Sequence, residues 1–200
     1  MLELLTERDD PDPLALGLLR YREGDDAAAF AAFKTAAEEG DAAGQFSWAL
    51  MLESVGLRDS PGSRAEAARY YRLAAQQGLP LAQFQLGVML EWGEIDADDD
   101  WANPLANAVM YYHLAASRGL GLAFYNLASC YLNGVGVQRS LGTARTCLVE
   151  AAAHGHGDAE REIAPLDALL AADEVERRGT GRDNTCPISV DSEPESEPES

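Results

Sequence analysis

One helix-ending signature occurs four times in this chain: AAEEG closes at Gly40, AAQQG at Gly78, AASRG at Gly119 and AAAHG at Gly155. The glycines lie 38, 41 and 36 residues apart, inside the range of ~20 to 50 residues that marks stacked structural repeats. Other positions recur in the same register. Eleven residues before each glycine stands Ala29, Ala67, Ala108 or Ala144, and seven before stands Phe33, Tyr71, Tyr112 or Leu148. Four residues after come Gly44, Ala82, Ala123 and Ala159, and two further on Phe46, Phe84, Tyr125 and the exception Arg161. Trp48, Leu86, Leu127 and Ile163 follow after two more.

Alternation of small and large residues at fixed helical spacing is the requirement of close helix packing: the small positions let two axes approach, and the aromatic one turn away fills the space beside them. In ANAVMYYHLAASRG, the residues Ala108, Tyr112, Ala115 and Ala116 share one helical side. Each unit therefore reads as an antiparallel helical hairpin, stopped by a glycine that takes the left-handed conformation. The fold class predicted is all-α, an α-solenoid of about four hairpins. The loops inside the hairpins differ in length and chemistry (54–64, 92–104 and 133–140), which a solenoid tolerates because each unit touches only its neighbours.

The ends of the array depart from the pattern. At the front, LALGLLRYREGDDAAAFAAF sets Gly17 and Gly24 seven residues apart, a short helix, tight turn and second helix. At the back, DAEREIAPLDALLAADEVERR starts as a further repeat but places Arg161 where an aromatic belongs, as a solvated capping helix would. From about Gly179 onward apolar periodicity is lost and the chain runs into an acidic Ser-Glu-Pro tract, for which no fixed structure is expected. The division predicted is a lead-in over 1–13, a repeat domain over 14–178 and a disordered acidic tail over 179–200.

Charge narrows the function. Thirty-four acidic residues against 15 basic ones give a net −19, and the last ten residues account for only five of those charges, leaving −14 on the body. Such a field repels phosphate backbones and anionic headgroups and favours cationic partners, so neither nucleic acid nor membrane is expected as a ligand. There is no basic segment followed by an apolar run at the N-terminus and no stretch of ~20 apolar residues. Cys130, Cys147 and Cys186 are odd in number and lack ligand-type spacing, which suits a reducing compartment. A cytoplasmic location is the expectation.

The segments AQFQLGVMLEWG (82–93) and AFYNLASCYLNGVGV (123–137), with the recurrent AAxxG, resemble the SEL-one-like repeat family, relatives of tetratricopeptide repeats. Residues 123–155 match best, through Tyr131, Gly134, Gly136, Val137 and Gly155, although Ala128 replaces a family glycine. Residues 17–40 look more like a single tetratricopeptide unit, and the whole resemblance covers about 14–165. It implies a right-handed α-solenoid of hairpins used as an adaptor, with no family-wide catalytic residue, in members that are often bacterial and act in signalling, secretion, envelope control or neutralisation of toxic effectors.

If the first helix of each hairpin lines the concave face, as in tetratricopeptide folds, then positions one, four and five after the column Gly17, Ala49, Gly87 and Ala128 point inward. These include Tyr21, Leu50, Glu53, Val88, Glu91, Trp92, Ser129, Leu132 and Asn133. Glu53 and Glu91 stand in register and could clamp a lysine or arginine, against the alternative of an ordinary solvated helix face. Trp92, beside a glycine turn, is either a packing residue or an exposed interface anchor.

Two metal-like patterns fail on inspection. Asp96, Asp98 and Asp100 imitate the start of a calcium loop, but Trp101 stands where glycine is needed and Asn107 where glutamate closes the site. Cys147, His154 and His156 lack a fourth zinc ligand, and a histidine in a last helical turn is explained by the C-terminal carbonyls. Cys130 falls in the column of Met51 and Met89, and Cys147 in that of Tyr70 and Tyr111, so both read as core. No P-loop, nucleophile elbow or zinc-protease motif is present. The expectation is a noncatalytic protein-interaction module for a basic partner, without metal or cofactor. An immunity protein masking a basic toxin or enzyme is the alternative, and a fixed subunit of a larger complex the third reading.

Overall fold

The computed structural model describes residues 12–54, 61–95 and 103–179. Their helices are α1 (Pro13–Glu23), α2 (Asp26–Glu38), α3 (Ala42–Ser54), α4 (Pro61–Gln76), α5 (Pro80–Glu91), α6 (Pro104–Ala116), α7 (Gly121–Asn133), α8 (Leu141–Ala153) and α9 (Gly157–Gly179). Each helix packs against the one before it and the one after it. The result is an all-α solenoid of four hairpins, α1/α2 to α7/α8, closed by α9. The calcium-like stretch from Asp96 to Asp100, Cys186, the lead-in before Asp12 and the acidic tail after Gly179 lie outside the described residues.

The four AAxxG signatures become four copies of one turn. Gly40, Gly78, Gly119 and Gly155 have φ of 90°, 86°, 81° and 85°, a left-handed conformation that costs other L-residues about 1–2 kcal/mol. Both alanines of each pair close the turn with their carbonyls. At the third copy, Gly119 N–H donates to Ala116 O at 2.8 Å and Leu120 N–H to Ala115 O at 3.3 Å, and the other three repeat this pattern. These are the two bonds of a Schellman C-cap. The sequence thus fixes the reversal by local chemistry alone.

The residue before each of the last three glycines then reaches back to the preceding turn. Gln77 Nε2 donates to Gly40 O at 3.0 Å and to Gln45 Oε1 at 2.9 Å. A methyl group on Gly78 would lie 3.3 Å from Arg118 Nη2, and one on Gly119 3.3 Å from His154 Cδ2. Glycine therefore leaves room for the next hairpin as well as allowing the bend.

The core follows the register read from the sequence. Ala29, Ala67, Ala108 and Ala144 are buried, as are Phe33, Tyr71, Tyr112 and Leu148 and the small residues Gly44, Ala82, Ala123 and Ala159. A Cβ on Gly44 would come within 2.5 Å of Ala36 Cβ, so helices α2 and α3 approach nearly to backbone contact there. Aromatic pairs bridge the hairpins: Phe46 with Tyr71 at 5.7 Å between centroids, and Phe84 with Tyr112 at 5.8 Å. Cys130 is buried beside α6, and burial pushes its thiol up to about 12.

At the back, Arg161 is solvated and pairs with Asp158 at 3.1 Å. Tyr125 donates instead to Glu162 at 2.6 Å, tying α7 to α9. Arg145 and Asp167 add an ion pair between α8 and α9.

Candidate partner-binding surface

The first helices of the hairpins, α1, α3, α5 and α7, carry every residue singled out as a candidate contact. Tyr21 on α1, Leu50 on α3 and Trp92 just after α5 are 59%, 41% and 75% exposed. Large apolar side chains left in water on the first three hairpins do not serve the core. Leu18 and Leu19 on α1 are exposed as well. Val88 and Leu132 differ, being half-buried against the core and offering only an edge. Ser129 and Asn133 are exposed and bonded together, Asn133 Nδ2 donating to Ser129 O at 3.0 Å.

Glu53 and Glu91 are half-buried and share one arrangement. Tyr71 donates its hydroxyl to Glu53 Oε2 at 2.6 Å, and Tyr112 to Glu91 Oε2 at 2.6 Å. Burial, reinforced by the carboxylate, raises the pKa of both phenols well above the usual tyrosine value. The hydroxyls therefore remain donors at any physiological pH. Each tyrosine fixes one carboxylate oxygen of its glutamate, and a carboxylate has acceptor capacity for more than one bond.

The registers of the other two hairpins hold no such pair. The position of Glu53 and Glu91 is taken by Tyr21 and Leu132, and that of the two tyrosines by Phe33 and Leu148. Acceptor and donor come and go together. This association of columns was open to sequence reading but concerns residues 18 to 21 apart, beyond any helical period.

Charge is also divided along the array in a way the net value hides. From Trp101 to Val149 there are three arginines and no aspartate or glutamate, so −19 less +3 leaves −22 on the rest of the chain. The carboxylates of the candidate surface accordingly sit on α3 and α5, with Glu94 just beyond, while Ser129, Leu132 and Asn133 on α7 are uncharged. Glu53 and Glu94 line one small cleft with Leu52 and Arg64.

The histidines lie elsewhere. His154 stacks on Phe124 and places Nδ1 2.9 Å from Glu150 O, and His156 stacks on Tyr125 with centroids 4.3 Å apart. Cys147 is buried on α8. Among the described residues no three His, Cys, Asp or Glu side chains converge as a metal would need, and no helix is long and apolar enough to cross a membrane.

Comparison with known proteins places this geometry. No curated protein matches the chain. A crystal structure of a Sel1 repeat protein from Oxalobacter formigenes is similar to 77% of the chain with a TM-score of 0.64 and 24% identity. Another, c5321, a protective antigen of uropathogenic Escherichia coli with an SLR fold, aligns over 94% at a TM-score of 0.42 and 17% identity. The chain spans 59% of the first protein's length and 50% of the second's. The family model of the Sel1 repeat matches residues 42–79, 80–120 and 122–156, the units that the turn glycines delimit, and the chain belongs to the Sel1 repeat family.

Proposed function

We propose that the chain is a noncatalytic adaptor whose first helices hold a segment of a protein partner bearing basic side chains. The observation that carries this reading is the set Tyr21, Leu50 and Trp92, exposed on the first three hairpins, two of which also carry an oriented carboxylate. Exposed aromatic anchors dominate interface energetics when a partner covers them. Carboxylates with one oxygen already fixed lose less freedom on accepting a lysine or arginine. The net charge of −19 speeds the encounter with a basic surface and selects against an acidic one. Membership of the Sel1 repeat family supports the class, since such proteins are in general scaffolds for protein contacts. Residues 14–178 form the binding body in this reading, the tail from 179 adds negative charge, and the cytoplasm is the setting.

The test is capture of partners from native lysate on the immobilised full chain, eluted with a salt gradient, beside a Leu50→Asp, Trp92→Ala variant. Proteins with basic surfaces retained by the wild type, absent from the variant and released by salt are the expected result. Identical sets on both matrices overturn the surface assignment. A single basic enzyme among the specific proteins would assign the narrower role of inhibitor or immunity protein. Several assembly or signalling proteins would assign a scaffold, and a constant set in fixed ratio a subunit of one complex.

A further inference from the structure

The acid-free stretch coincides with a second surface. Helices α6 and α7 contain no aspartate, glutamate, lysine or arginine. On the second helices of the hairpins, the large apolar side chains exposed among the described residues are Leu105, Met110 and Leu114 on α6, at 40%, 45% and 42%, and Val149 on α8. Neither α2 nor α4 contributes one to that set. Met110 and Leu114 are one turn apart and share a face. The arginines nearby do not turn this surface into a cationic site. Arg145 is engaged by Asp167, Arg139 Nε donates to Leu132 O at 2.9 Å, and Arg118 lies over the turn at Gly78.

We propose that this face, centred on Met110 and Leu114 of α6, is where two copies of the chain meet. Two bodies of strongly negative charge repel wherever carboxylates face one another, over a screening length of about 8 Å at physiological salt. The acid-free helices are where that repulsion is weakest, and among them α6 presents the exposed apolar pair Met110 and Leu114. A two-fold contact pairs a patch with itself, so the surface it meets is by construction neutral and apolar. A basic partner is drawn instead toward Glu53 and Glu91, and an acidic one finds the arginines dispersed and engaged. With so few apolar anchors, the contact is a reversible dimer rather than an obligate one.

Sedimentation equilibrium of the full chain at rising concentration, in low and in high salt, tests this. The expected result is a mass that climbs from the 21.5 kDa of one chain toward twice that value, further at high salt, because salt screens the repulsion and leaves the apolar contact intact. Met110→Glu with Leu114→Glu should hold the single-chain mass throughout while circular dichroism shows unchanged helicity. Should the double variant fail to fold, Met110→Glu alone should raise the dissociation constant at least tenfold. A single-chain mass in the wild type at every concentration and salt overturns the proposal. So does a dimer that salt weakens, or one that survives the α6 substitutions but is lost in Leu50→Glu.

Discussion

Tyr71 and Tyr112 are buried aromatic residues whose hydroxyls need an acceptor, since a buried O–H left without one costs about 1 to 3 kcal/mol. Glu53 and Glu91 supply it at 2.6 Å. These glutamates thus serve the hairpin as well as any ligand, a dual task that spacing along one helix could not reveal. The evidence in the sequence was the exchange of both members together, Glu and Tyr in two hairpins but Leu132 and Leu148 in another. Glu91→Leu alone should lower stability by about 1 to 3 kcal/mol, because it removes the acceptor of the Tyr112 hydroxyl. Tyr112→Phe added to it should restore part of that loss. Chemical denaturation of both single variants and the double checks this, and strictly additive effects would show that the pair is not coupled.

At the scale of the element, the turn was legible because its determinants are local. A left-handed glycine and two alanine carbonyls lie within six residues, so AAxxG alone specifies the stop, and four copies specify a period. How one turn rests on the next was not legible. Gln77, Arg118 and His154 perform that task with three different side chains, and a register of unlike residues leaves no pattern to find. Their contacts explain why the glycine must also be small. Gly119→Ala should lower stability by about 1 to 2 kcal/mol from the backbone alone, and His154, 3.3 Å from the new methyl, must shift as well. Thermal melts of this variant and the wild type give the value, and an unchanged transition would contradict the role assigned to the turn.

For the whole molecule, hydrophobic register determined the architecture, four hairpins and a closing helix, since stacking buries the columns that begin at Ala29, Phe33 and Gly44 at once. Net charge was less informative than its distribution. A value of −19 suggested one acidic platform, whereas the chain divides into acid-bearing hairpins at the front and an uncharged α6/α7 region behind. The two halves suit different contacts, a basic partner on the first helices and a second copy on the second ones. Hydroxyl-radical footprinting of the full chain, free and saturated with a captured partner, tests the central assignment most directly. Tyr21, Leu50 and Trp92 should lose reactivity on binding while Met110 and Leu114 keep theirs. Protection confined to Met110 and Leu114, with Trp92 as reactive as before, would contradict it.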